Sequence, residues 1–142
     1  MLKATLVICL ACLLSACETF GSGNKNTCGG SGHKIVKVEY GDGKLVVAPV
    51  VHVNKKKELR FKLFPQRQSE LGYDYTKAEV TMKGKTDDAS WLNTSGAWDP
   101  GRYLVVCVKE ELAKKNYDYS VTIRKAGTDD LIAKIDPRVV VE

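Results

Sequence analysis

The chain is 142 residues long and carries a net charge of +5, with 44% apolar and 27% charged residues. Beyond the amino-terminal segments, about 110 residues remain for one single-core domain, and there is no second domain, internal repeat or later apolar run long enough to span a bilayer. The mildly basic balance describes a solvated surface at ease near polyanions such as lipopolysaccharide or phospholipid head groups.

The first element is an address. Lys3 precedes an uncharged run from Ala4 to Ala16. That run is shorter than the roughly 20 apolar residues of a membrane span and typical of a signal-peptide core. An ordinary secretory cut after Ala16 would put Leu14 where a small residue is wanted. The stretch Leu14-Ser15-Ala16-Cys17 instead resembles the lipobox of bacterial lipoproteins: a branched apolar residue, two small ones, then the cysteine that receives diacylglycerol. Cys12 follows Cys9-Leu10-Ala11 and lacks the aliphatic residue three positions back. The resemblance implies a signal peptide over residues 1–16, cleavage before Cys17, and an anchor in which each buried CH₂ contributes ~0.8 kcal/mol, so that two or three acyl chains hold stably. The competing reading is a buried amino-terminal helix. Glu18, rather than aspartate, follows Cys17. By the sorting pattern of enterobacterial lipoproteins this implies the outer membrane, at its periplasmic face rather than the cell surface. Export removes nucleic acid as a partner, and loss of Lys3 with the signal lowers the net charge from +5 to +4.

Glu18 to Gly32 is rich in Gly, Ser and Asn and nearly free of apolar residues. Residues 17–32 are therefore predicted to be the acylated cysteine and a flexible tether, and residues 33–142 the domain. Two cysteines survive besides Cys17: Cys28 in the tether and Cys107 in an apolar run. An oxidising compartment favours a bridge between them. The alternative is an inert, buried Cys107 and a free Cys28.

Through the domain the apolar pattern has period two, which predicts strands. Ile35 to Tyr40 is the first, and Gly41-Asp42-Gly43 turns it into Lys44–Val47, with Pro49 marking a kink before Val50–Val53. Lys55-Lys56-Lys57 reads as an exposed turn. Glu58 to Phe64 places Leu59, Phe61 and Leu63 on one side and Arg60 and Lys62 on the other. Ser69 to Tyr75 is an irregular connection. Lys77 to Lys83 alternates through Ala78, Val80 and Met82; Ala89 to Leu92 is a short apolar piece; Asp99-Pro100-Gly101 is a turn. Arg102 to Lys109 is the most β-rich segment, Glu110 to Lys115 the one helical stretch. Tyr117, Tyr119, Val121 and Ile123 share a side, Lys125 to Asp130 is a hairpin loop, and Leu131–Ile135 and Arg138–Val141 follow. Seven to eight such strands predict an all-β, antiparallel Greek-key β-sandwich. The absence of intervening helices excludes a parallel βαβ sheet.

The segments Gly43-Lys44-Leu45-Val46-Val47, Phe61-Lys62-Leu63, Tyr117-Asp118-Tyr119-Ser120-Val121 and Ile135-Asp136-Pro137-Arg138-Val139 resemble those of small exported bacterial domains with an immunoglobulin-like or cupredoxin-like sandwich. The resemblance implies the sandwich and no activity. A blue-copper site needs two His and a Cys, often with an axial Met. After Cys107 there is neither His nor Met, and the histidines are His33 and His52. No metal ligand and no cofactor is assigned. A metal-handling or redox envelope protein using His33, His52, Cys28 or Cys107 is kept as the alternative.

There is no Gly-x-Ser-x-Gly elbow and no phosphate-binding Gly-Lys-Ser/Thr loop. The acid pairs Asp87-Asp88 and Asp129-Asp130 read as turn residues, not as facing glycosidase carboxylates. No catalytic residue is assigned, and the chain is read as a non-enzyme. The candidate binding surface is Trp91 to Trp98, with Tyr103 just beyond: two tryptophans flank a polar Asn-Thr-Ser-Gly loop, and exposed aromatics offer apolar faces to a glycan or to an envelope protein. Trp98, beside the Asp-Pro-Gly turn, is expected to be the more exposed, with Trp91 the better candidate for the core. The expectation is a membrane-anchored accessory domain that binds a protein or glycan.

Overall fold

The structure is a computed structural model and describes residues 28–41, 43–65, 78–99, 101–128 and 130–142. The lipobox, Cys17, the tether through residue 27 and the expected connection at Ser69–Tyr75 lie outside the described residues.

Among the described residues there are ten strands: β1 (His33–Gly41), β2 (Lys44–Val47), β3 (Val50–Val53), β4 (Glu58–Pro65), β5 (Ala78–Gly84), β6 (Thr94–Ala97), β7 (Tyr103–Cys107), β8 (Asn116–Lys125), β9 (Leu131–Ile135) and β10 (Arg138–Val141), with a 3-10 helix at Asp87–Leu92. They form two sheets. The first has the order β2-β1-β4-β7; the second has the order β3-β10-β8-β5-β6, with β9 also on β8. Each sheet buries one face, as period-two strands require. From β4 come Leu59, Phe61 and Leu63, and from β8 Tyr117, Tyr119, Val121 and Ile123, all buried in one cluster. The two sheets meet where the Phe61 and Tyr119 rings pack edge to face, with centroids 5.8 Å apart.

The all-β, two-sheet arrangement agrees with the sequence reading; the strand directions and number do not. Both sheets are mixed, because β1 pairs with β4 and β3 pairs with β10 in parallel. Alternation records which face of a strand is buried, and a parallel neighbour leaves the same record as an antiparallel one. The cause lies at Pro49. Lys44–Val47 pairs back on β1, but the strand does not continue through Pro49, which has no N–H to give a ladder. The chain crosses to the second sheet as β3 beside β10. It then returns through a turn in which Lys56 takes a left-handed φ of 62°, and β4 lies beside β1 in the same direction.

Two local expectations are also corrected. Glu110 to Lys115 is not helical, and the one helical segment among the described residues is the 3-10 turn at Asp87–Leu92. Its buried Ala89 and Leu92 anchor it to the core, whereas Glu110 to Lys115 offers only Leu112, half-buried. The polar Thr94–Ala97 is strand β6, held by its ladder with β5 and not by apolar content.

Gly84, at the end of β5, lies against the 3-10 helix; a Cβ there would fall 2.1 Å from the Ala89 carbonyl oxygen. Its N–H donates to Asn93 Oδ1 at 2.8 Å, closing the segment. Tyr119 is fully buried, and its hydroxyl has no hydrogen-bond partner among the described residues; burial pushes its pKa above the ordinary phenol value. A buried, unpaired hydroxyl costs about 1–3 kcal/mol. Tyr119→Phe is therefore expected to leave denaturant stability unchanged or raise it by about 1 kcal/mol, a loss being the contrary result. Gly84→Ala is expected to lower it by about 1–3 kcal/mol, the usual range for overpacking, as read from the midpoint of urea unfolding.

Candidate binding face

Cys28 and Cys107 are joined in a disulfide, Cα–Cα 5.3 Å, across 79 positions of sequence. The residues after Cys28 run against the turn between β3 and β4. Gly30 packs on Lys56 so closely that a Cβ would lie 2.2 Å from the Lys56 carbonyl oxygen, and the Glu58 N–H donates to the Gly32 carbonyl at 3.4 Å. On the other flank of the turn, the Lys56 N–H donates to Val108 O at 2.6 Å and the Val108 N–H to Lys57 O at 2.9 Å. Beside the bridge sits a buried carboxylate, Glu58, 2% exposed. Arg60, two residues along the same face, reaches Glu58 Oε2 with Nε and Nη2, both at 2.7 Å. The guanidinium fork supplies two donors to a group that burial would otherwise penalise.

Cys107, Glu58 and Arg60 all belong to the outward face of the first sheet. Cross-strand register places its side chains in rows. Val46 stands beside Glu39, and Glu39 beside Phe64; Lys37, Lys62 and Tyr103 make the next row; Ile35, Arg60 and Val105 the next; His33, Glu58 and Cys107 the last. Ile35, Val46, Tyr103 and Val105 are 44%, 40%, 39% and 42% exposed, four of the six large apolar side chains that are exposed among the described residues. Two lysines thread between them. The Lys37 and Lys62 ammoniums lie 5.6 and 4.8 Å from the Phe64 ring centre, and Lys62 also lies 5.6 Å from the Tyr103 ring. Neither lysine forms an ion pair with a carboxylate among the described residues.

The second sheet presents a different outward face. Arg138 and Asp118, opposite each other on β10 and β8, bond at 2.7 Å, and the guanidinium holds the Asp118 carboxyl below the ordinary carboxylate pKa. Asp136 accepts from Ser120 at 2.7 Å and pairs with Lys85 at 3.1 Å, which lowers its pKa in the same way. Both of those acids are paired; on the first sheet Lys37 and Lys62 stand beside exposed apolar groups.

The expected tryptophan loop does not form. Trp98 is 2% exposed and sits in the core, its backbone N–H donating to Ala78 O at 2.8 Å, so the expectation that it is the more exposed tryptophan is corrected. The turn chemistry at Asp99-Pro100-Gly101 begins one residue too late to carry Trp98 to the surface. Trp91 is half-buried on the 3-10 helix and packs edge-on against Tyr117, with ring centres 5.4 Å apart. It borders a shallow concavity with Asp88, Leu112 and Lys115, where Lys115 pairs with Asp88. Tyr103 alone of the three aromatics lies on the face described above. That face escaped the sequence reading, although it left a signal. Tyr-Leu-Val-Val-Cys in β7 is apolar at both parities, and in β1 Ile35 stands outward among polar residues.

His33 and His52 meet at one small depression with Lys57 and Glu142, and His52 Nδ1 lies 2.6 Å from Glu142 Oε1. Among the described residues no three His, Cys, Asp or Glu side chains gather to hold a metal ion, and the two cysteines are bonded to each other. Removing the bridge with Cys107→Ser, or by reduction, is expected to lower stability by roughly 4.5 kcal/mol, the chain-entropy value for a loop of this length; the urea midpoint of oxidised against reduced protein measures it.

Neither a family model nor a curated protein sequence matches the chain. Among solved structures, the N-terminal domain of phage TP901-1 ORF48 is similar at 6% identity and a TM-score of 0.41, covering 79% of this chain and 99% of that one.

Proposed function

We propose that this chain is an exported bacterial lipoprotein: cut before Cys17, acylated there, and held at the periplasmic face of the outer membrane. Its β-domain binds an envelope protein or glycan and carries out no chemistry of its own. The sandwich is of the immunoglobulin-like or cupredoxin-like kind. The observation that carries the reading is the stretch Leu14-Ser15-Ala16-Cys17 behind a charged and then apolar leader. The bridge between Cys28 and Cys107 supports it independently, since structural disulfides persist in oxidising compartments and are rare in reducing ones. No helix among the described residues is long and apolar enough to cross a membrane.

The test is intact-mass analysis of the chain produced in a Gram-negative host. Expected are the loss of residues 1–16, the added mass of a diacylglyceryl group with or without a further acyl chain, and fractionation with the outer membrane. Cys17→Ser is expected to abolish acyl incorporation and leave the uncut precursor. A mature chain cut elsewhere, or one without acyl mass, overturns the reading.

A further inference from the structure

We propose that the outward face of the first sheet lies on the anionic head groups of the bilayer in which the chain is anchored. This rests on the lipoprotein reading above and adds an orientation to it.

Three observations point the same way. First, where the chain re-enters the fold is fixed. Cys107 stands in the last row of this face, beside Glu58, and the disulfide ties Cys28 to it. Whatever path residues 18–27 take, eleven peptide steps from Cys17 to Cys28 reach at most about 40 Å. An anchor at Cys17 therefore keeps this edge of the domain within about 40 Å of the bilayer.

Second, the composition of the face suits a head-group layer. Ile35, Val46, Val105 and Tyr103 are exposed there, and Lys37 and Lys62 lie over aromatic rings. Long cationic side chains with apolar stems, set among an aromatic and aliphatic groups, place the stems against apolar surface and the ammoniums at phosphate level. Of the two acids on the face, Glu58 is buried and bound by Arg60, which leaves Glu39 against Lys37, Lys62 and, at the end of β2, Lys44.

Third, the face is broad, with a concavity of about 480 Å³ at its β1–β2 edge lined by Ile35, Lys37, Glu39 and Val46. Four strands at ~4.8 Å spacing and four alternate rows cover roughly 15 by 20 Å, an extended surface suited to a plane of head groups. On the second sheet Arg138 is bonded to Asp118 and Lys85 to Asp136, and two of the six exposed large apolar side chains among the described residues, Val50 and Leu131, lie there.

The experiment uses the full acylated chain with a photo-reactive benzoylphenylalanine at Tyr103 or, as the control on the second sheet, at Lys83. The chain is reconstituted in vesicles of phosphatidylcholine alone or with one-third phosphatidylglycerol. After irradiation, lipid adducts are read by mass spectrometry, and acylation of Cys17 is read from the same spectra. Expected is a lipid adduct at residue 103 that strengthens with phosphatidylglycerol and is at least fivefold weaker at residue 83. In Lys37→Gln/Lys62→Gln the adduct at residue 103 falls on the order of thirtyfold, as loss of two surface cations implies, while circular dichroism verifies the fold.

An acylated chain that gives equal adducts at both positions, or adducts indifferent to phosphatidylglycerol, overturns the orientation and leaves the anchor standing. A residue-103 crosslink to a second copy of the chain assigns the face to self-association and likewise overturns it. A chain without acyl mass overturns the anchor, and the orientation with it.

Discussion

Everything in this domain hangs on the burial of β4 against β8. Leu59, Phe61 and Leu63 from one sheet and Tyr119, Val121 and Ile123 from the other are all but inaccessible, and Phe61 and Tyr119 touch across the interface. Each strand is interior to its sheet, β4 with two paired neighbours and β8 with three. With its apolar parity committed inward, β4 sets the register of β1 on one side and β7 on the other, and a slip of one residue would turn every core side chain to solvent. The outward rows of the first sheet are the consequence: once Phe61 faces the core, Arg60 and Lys62 must face away, beside Ile35, Val105, Lys37 and Tyr103.

The inward half of this arrangement was legible in the sequence because the hydrophobic effect acts on parity. Alternation in Glu58–Phe64 and Tyr117–Ile123 located the buried faces, and β2, β3, β9 and β10 fall on the boundaries that their Gly, Pro and Asp flanks implied. The partners of those faces were not legible. Pro49 reads as a kink in either a continued strand or a change of sheet; only the packing of Val51 and Val53 in the core beside Val139 and Val141 decides for the change. β6 carries no apolar signal at all, because its place is fixed by backbone hydrogen bonds to β5.

The candidate site was legible in a different and smaller part. The cysteine pair was legible from the count of cysteines left after Cys17 and from the expectation of an oxidising compartment. The aromatic loop did not form because a tryptophan near a turn is still a large apolar side chain, and burying such a side chain is worth about 1.5–3 kcal/mol more than leaving it in water; Trp98 took the core position. The face that did emerge is made of residues that look unremarkable singly. It needs the parallel pairing of β1 with β4 to bring Lys37 beside Lys62 and Ile35 beside Arg60, and no local pattern encodes that pairing.

The same crossing bears on how the chain comes to be folded. β10 lies between β3 and β8, so that Val50 pairs with Arg138 and Val53 with Val141. The second sheet is therefore left with an open seam between β3 and β8 until β10 has been made. Topologies dominated by such distant pairings fold slowly, in milliseconds to seconds, because the connecting loops must be ordered before the contacts reward it. Until β10 pairs, the strands made before it remain pliant, and the core locks late and as a unit.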